Sequence, residues 1–143
     1  MIKIISYNNQ QLAIIIKNNY YKEGIEFFTP NDYSQQLAYM SHKKGKKIDA
    51  HVHNKVTRDV HLTQEVLLIR KGKLRVDFYS QEHIYLESAI LESGDVILLA
   101  SGGHGFEVLE DLEMIEIKQG PYLGDADKTR FEHIALEELK INK

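Results

Sequence analysis

Apolar and polar residues alternate in short bursts along this chain, and almost nowhere do they repeat with the period of a helix. The first two bursts, IKIIS and LAIII, flank the turn-like YNNQQ and predict a β-hairpin. A polar connection, NNYYKEG, leads to the short strand IEFF, closed by Pro30, and residues 31–35 (NDYSQ) have turn composition. Residues 36–42 (QLAYMSH) predict a further strand, after which the KKGKK loop delivers the chain into IDAHVH. Residues 60–70 are β-prone and are expected to end in a tight turn at Lys71-Gly72-Lys73. LRVDFYS alternates, with Leu74, Val76 and Phe78 on one face and Arg75, Asp77 and Tyr79 on the other. HIYLESAIL, VILLA, GGHGFEVLE and LEMIEIKQG supply the remaining strands, with turns at 92–95 and at Glu110-Asp111. Only about Ile134 to Lys140, through the spacing of Ile134, Leu136 and Leu139, does the pattern predict a helix, and it is short.

About ten short strands at regular spacing with almost no helix indicate an all-β sandwich or barrel. No repeat or low-complexity segment divides the chain, so one domain is expected. Its parts are an N-terminal hairpin region at 1–30, a core at about 36–119 and a tail at 120–143.

Composition narrows the partners. The 143 residues suffice for a buried core, and a net charge of −3 makes neither nucleic acid nor an anionic membrane the natural partner. The lysine run at 43–47 reads as a solvated loop. Without cysteine, disulfides, thiolate metal sites and thiol nucleophiles are excluded. No secretory signal pattern and no apolar run of membrane-spanning length is present, so a soluble cytoplasmic protein is the economical expectation.

The chemistry concentrates between Gly45 and Gly72. His51 and His53 are one residue apart, so on a strand both imidazoles point to the same face. Glu65 and the downstream His104 complete a set of three imidazoles and a carboxylate, ligands that suit one divalent Fe, Mn, Zn or Ni ion. If residues 54–59 turn a long hairpin, His53 faces His61 and Asp49 faces Glu65, and all four candidate groups of this stretch share one face. A second register is open, in which Asp59 and His61 take the places of His51 and His53, because Glu65 lies three residues beyond His61. The first is preferred, since two imidazoles bind better than one plus a carboxylate, and His61 then stands at the pocket rim. Arg58, in the expected turn, and Arg70 are candidate holders of an anion. Arg58, His61 and Tyr39 are the candidates for a catalytic part, and Lys118 is a further candidate for the interior. Glu107 is opposite in strand phase to His104 and is expected to face outward. Gly102 and Gly103 read as turn chemistry in preference to a phosphate cradle. His42, His83 and His133 read as surface residues.

The stretch also resembles the first sequence motif of the cupin superfamily: a glycine, His-x-His, a Glu and a second glycine, matched by Gly45, His51, His53, Glu65 and Gly72. The spacer between His53 and Glu65 is eleven residues, far longer than the family's usual few. GDVILLASGGHGF resembles the second motif, with Gly94 opening it, His104 in the histidine place and Ala100 where a proline is usual. The resemblance implies a single-domain cupin jelly-roll barrel with the short C-terminal helix appended. It also implies the metal set His51, His53, Glu65 and His104.

Longer phrases, TQEVLLIRKGKLRVDFY and GGHGFEVLEDLEMIEIKQGPYLGDADK, resemble a group of small bacterial single-domain cupins that accompany genes for surface polysaccharide and nucleotide-sugar synthesis. That implies carbohydrate metabolism and a small, anionic ligand. Isomerase or epimerase-like chemistry on a sugar or sugar-acid derivative is the expected activity. The alternatives are Fe(II) dioxygenase chemistry, a non-catalytic sugar-binding or regulatory role, and metal-free catalysis with His51, His53 or His104 as base. Sugar-nucleotide epimerase cupins work without metal, whereas the filled His-x-His, Glu and His positions here imply one. Small cupins commonly dimerise, and the apolar N-terminal hairpin fits a homodimer.

Overall fold

The computed structural model describes residues 1–142 and forms two compact units, one of Met1–Tyr20 with residues 62–142 and one of Tyr21–His61. The larger unit is built on one antiparallel sheet, strongly curled into a half-barrel. Its strands are β1 (Ile2–Tyr7), β2 (Gln10–Ile16), β5 (Glu65–Tyr79), β6 (Tyr85–Glu92), β7 (Val96–Leu99) and β8 (Gly103–Lys118). They lie in the order β1-β2-β7-β5-β6, and β8 pairs with β5 along its whole length. The smaller unit holds a two-stranded ribbon of β3 (Gly24–Phe27) and β4 (Ala38–Ser41).

The expected hairpin of the first two bursts is present, turned by Asn8 and Asn9 with positive φ. Strand IEFF belongs instead with the QLAYMSH strand, so the hairpin ends at Ile16 and does not extend to residue 30. Two expected turns are absent. Lys71-Gly72-Lys73 lies inside the fifteen-residue β5, and Glu110-Asp111 lies inside the sixteen-residue β8. Both positions are bends in paired strands, where the ladder register shifts around Lys71 and Lys73. The predicted C-terminal helix is only a single 3-10 turn at Leu136–Glu138, because residues 140–142 bond to β6 around Ser88.

Burial follows the alternation. Across the ladders Ile5, Ala13 and Leu99 are successive partners and reach Glu65 and then Lys118, so these five share a face. Ile15, Ile97 and Leu67 form the neighbouring row on that face and, with Leu74, Val76, Phe78 and Leu91, make the core inside the curl. At about 25 cal/mol per Å² of apolar surface removed from water, these fully covered side chains supply the main drive for curling the sheet.

The opposite face of β5 carries Arg75, Asp77 and Tyr79, as the alternation of LRVDFYS predicts, yet all three are buried. Arg75 Nε and Nη2 donate to the two Asp77 carboxylate oxygens at 2.8 and 3.0 Å, and Nη1 meets Glu107 at 2.6 Å. Ser88 donates to Asp77 Oδ1 and lies 2.8 Å from the Tyr85 hydroxyl, which accepts from the Lys140 amide. The Tyr79 hydroxyl accepts from the Ile134 amide, and Phe131 packs edge-on against the Tyr79 ring. The C-terminal segment thus covers a charge network whose polar atoms are satisfied, the condition for burying it at all. Among the described residues no helix is long and apolar enough to cross a membrane.

Candidate functional site

Glu65 is the first residue of β5, and His104 is the second residue of β8. In the ladder Glu65 pairs with Lys118, whereas His104 pairs with Phe78, thirteen residues further along β5. On a straight strand those positions stand roughly 40 Å apart. Here His104 Nε2 lies 3.2 Å from Glu65 Oε2. The β5–β8 ribbon has therefore curled far enough to bring its two ends together, and the bend is centred on Gly72. Gly72 has φ +83, and a Cβ there would lie 2.0 Å from the Asp111 carbonyl oxygen. Asp111, at the bend of β8, fits against Gly72, at the bend of β5, with no room for a side chain. Lys73, beside the bend, bridges Glu92 at 3.3 Å and Glu110 at 3.0 Å.

The turn joining β6 to β7 fastens the same corner. Asp95, fully buried, accepts from the Asn18 and Glu92 amides at 2.8 Å each and pairs with Lys17. Gly94 N donates to Ile69 O, and Ile69 N donates to Asp95 O.

Glu65 is 6% exposed. Lys118 Nζ stands 3.6 Å from its other oxygen, Oε1. The hydrogen bond from His104 holds the carboxyl below the usual carboxylate range, against burial, which pushes it up; the positive charges of Lys118 and Lys128 act in the same direction as His104. His104 also lies 5.2 Å from the Phe106 ring, and its side chain remains partly open. The local arrangement is a carboxylate kept ionised between an imidazole and an ammonium, at the end of an apolar interior. Such a group can bind a cation, orient an imidazole base or hold a proton donor.

His51 and His53 belong to the smaller unit and to a stretch with no strand from residue 46 to residue 64. The expected hairpin pairing His53 with His61 across residues 54–59 does not form. The β-prone residues are present, but a strand requires a neighbour to complete its ladder, and these have none. The His51 and His53 rings are nevertheless together, with centroids 5.2 Å apart in an edge-to-face arrangement. His51 Nδ1 is 2.9 Å from the Asp49 carbonyl oxygen, to which it donates. Arg58, Asp59 and His61 lie exposed in the same stretch, and Tyr39 lies on β4. Arg70 is exposed on β5 and its carbonyl accepts from Ser93.

The candidate residues thus fall into two pairs, Glu65 with His104 and His51 with His53. Among the described residues no group of three or more His, Asp or Glu side chains is clustered as a metal site. Glu107 faces outward, onto Arg75, as its strand phase predicts. Gly102 and Gly103 form a packed turn: a Cβ at Gly102 would lie 2.6 Å from the Tyr79 carbonyl oxygen, and one at Gly103 would lie 2.8 Å from the Phe131 ring. His42, His83 and His133 are exposed, as expected of surface residues; His83 also stacks on Phe131 with ring centroids 4.3 Å apart, and His133 is 3.8 Å from Asp77.

Lys118 beside Glu65 follows from the strand register, which becomes readable only once β8 is known to run unbroken from Gly103 to Lys118. Comparison of the chain with protein-family models, with curated proteins and with solved structures finds no match.

Proposed function

We propose that this chain is a cupin-type metal-binding protein that acts on a small anionic molecule, a sugar or sugar-acid derivative, by isomerase- or epimerase-like chemistry. The observation that carries the metal reading is the Glu65–His104 pair, set by the curled β5–β8 ribbon on the inner face of the sheet. The donor chemistry fits a divalent ion: a carboxylate held ionised and an imidazole nitrogen on it. Glu65, His104, His51 and His53 are the residues that would hold it, as the motif spacing implies. When bound, such an ion supplies Lewis-acid polarisation of a carbonyl or enediolate.

The chain's own residues do the rest. Lys118 places a positive charge beside Glu65, suited to a substrate carboxylate or phosphate. The apolar interior formed by Leu67, Leu99 and Phe78 keeps water from the buried side of the carboxylate. Arg58 is an exposed guanidinium able to grip an anion bidentately.

A second reading is favoured by Lys118. With an ammonium 3.6 Å from Glu65 Oε1, the same groups can serve as a metal-free acid–base pair, in which Glu65 orients His104 as the base. Elemental analysis separates the two. Protein stripped and then incubated with Mn, Fe, Zn or Ni should retain about one equivalent per chain of at least one of them. His104→Ala, Glu65→Gln and His51→Ala should each lose most of it, while His61→Ala keeps it. Retention below about a tenth of an equivalent by the unmodified protein would remove the metal reading. Loss with His61→Ala but not with His53→Ala would move the ligands to the second register. Oxygen uptake by Fe(II)-loaded protein coupled to substrate loss would replace isomerisation with dioxygenase chemistry.

A further inference from the structure

Two parts of this chain are left unsatisfied in a single copy, and they are complementary. The first is β8. It pairs with β5 on one edge, and among the described residues no strand pairs with its other edge, although it is sixteen residues long. Its apolar residues are uncovered on both faces: Val108 and Met114 share the face of Leu74 and Ile69, their partners on β5, and Ile115 and Ile117 share the face of Leu68 and Val66. Ile117 ends a row of successive partners, Ile4, Ile14, Leu98 and Val66, of which Ile14 and Leu98 are fully buried. The sheet is apolar up to its last strand and stops there without cover.

The second is the stretch between β4 and β5. Every residue from His42 to Thr63 is exposed, and from residue 46 to residue 64 none is in a strand or a helix. Ile48, Val52, Val56, Val60 and Leu62 are all exposed, Val52 at 86%. Five β-branched or aliphatic residues facing water on an irregular stretch signify a surface awaiting a partner.

Charge identifies which surface suits which. β8 carries five carboxylates (Glu107, Glu110, Asp111, Glu113 and Glu116) against Lys118, a net charge of −4. Residues 46–62 carry four cations (Lys46, Lys47, Lys55 and Arg58) against Asp49 and Asp59, a net charge of +2, and Lys43 and Lys44 precede them. Pairing β8 with β8 of another molecule would set five carboxylates against five, and pairing the stretch with itself would oppose its cations; like charges across a ladder destabilise it. Pairing the stretch with β8 matches both charge and apolar content.

We propose that residues 46–62 of one copy add as a strand to the free β8 edge of a second copy, and the reverse, giving a two-fold dimer with two identical edges. The mode is strand addition to an open edge, in which main-chain hydrogen bonds give affinity and alternate side chains give register. The exposure of both elements within one chain is what assigns the partner role to a second copy. The proposal uses neither Glu65 nor His104, but the added strand carries His51 and His53. Cross-linking and light scattering are therefore read on metal-free protein, so that their outcome is separable from that of the metal reading.

The absence of cysteine makes the test direct. Val52→Cys and Ile115→Cys are prepared separately, mixed in equal amounts and treated with a short bismaleimide linker. Both sites are exposed, so the fold does not depend on either side chain. The expected result is a covalent dimer containing one chain of each kind, in yield well above either variant alone, and light scattering at twice the 16.5 kDa chain mass for the untreated protein. In the double variant, dilution should not favour a monomeric loop product. Ile115→Lys with Ile117→Lys should shift the protein to monomer while the circular dichroism spectrum is retained. An intramolecular cross-link in the double variant, a monomer at all concentrations, or a dimer unaffected by the two lysines overturns the proposal.

Discussion

Gly72→Ala tests whether the bend in the β5–β8 ribbon builds the site. Two costs arise at once. The backbone there has φ +83, which a residue with a Cβ adopts at a cost of about 1–2 kcal/mol. The added methyl would also fall 2.0 Å from the Asp111 carbonyl oxygen and 2.7 Å from its carbon, contacts that only a backbone shift relieves. Overpacking of this kind costs about 1–3 kcal/mol, so the total is about 2–5 kcal/mol out of a typical 5–15. For a chain of this size the melting temperature should fall by roughly 6–20 °C. Gly45→Ala is the control: its φ is +92 but nothing lies within 4 Å of the added atom, so it carries strain alone, about 1–2 kcal/mol. Urea denaturation of both variants gives the two values, and the m-values show whether a single transition persists. If Gly72→Ala costs no more than Gly45→Ala, the ribbon bends without needing the close approach at Asp111, and the argument for this corner fails.

Two further predictions concern the buried charges. Asp77→Ala removes two hydrogen bonds from Arg75 and one from Ser88 in a site where Asp77 is fully buried, and should cost about 3–5 kcal/mol, more than Asp77→Asn, which keeps an oxygen for Ser88. A loss under about 1 kcal/mol in urea would show that Glu107 alone can hold the Arg75 guanidinium. In the metal-free protein Glu65 has a carboxyl held below its ordinary value of 4.5, first by His104. A depressed carboxylate stabilises the fold above its unfolded value, and that contribution is lost as pH falls below 4.5 through the lower folded value. Stability measured against pH should therefore decline less steeply below pH 4.5 in His104→Ala than in the unmodified protein. Parallel curves would mean that His104 does not hold the carboxylate.

Much of the fold was legible because alternation is a local signal. The faces of residues 74–79 follow from period two alone, and so does the outward direction of Glu107. What the alternation could not say is what lies over each face. Arg75, Asp77 and Tyr79 are assigned to the second face with nothing said of its cover, and they are buried, because the C-terminal segment from Phe131 to Asn142 returns across them. Nothing in LRVDFYS signals a cover sixty residues away. The merged strands failed for a related reason. Gly72 between lysines, and Glu110-Asp111, carry the same composition whether the chain reverses or merely bends. The choice belongs to the partner: where each break in one strand faces the break in the other, the ladder continues through both with shifted register.

The candidate site was legible to the same extent. Glu65 and His104 were chosen by residue type and motif spacing, and the fold joins them because a ribbon with a glycine at its corner can close on itself. His51 and His53 were chosen on an expected strand, and the strand was inferred from the β-prone residues around them. That inference omits a condition. A β-residue is stabilised by its neighbours across the ladder, and an isolated pair of strands is marginal in water. The stretch at 46–62 has β-prone residues, an acid-free run of lysines before it and no strand beside it. The same absence leaves β8 open. A sequence pattern can specify that a segment is competent to form a strand, but the partner that makes it one must come from elsewhere in the fold, or from another copy of the chain.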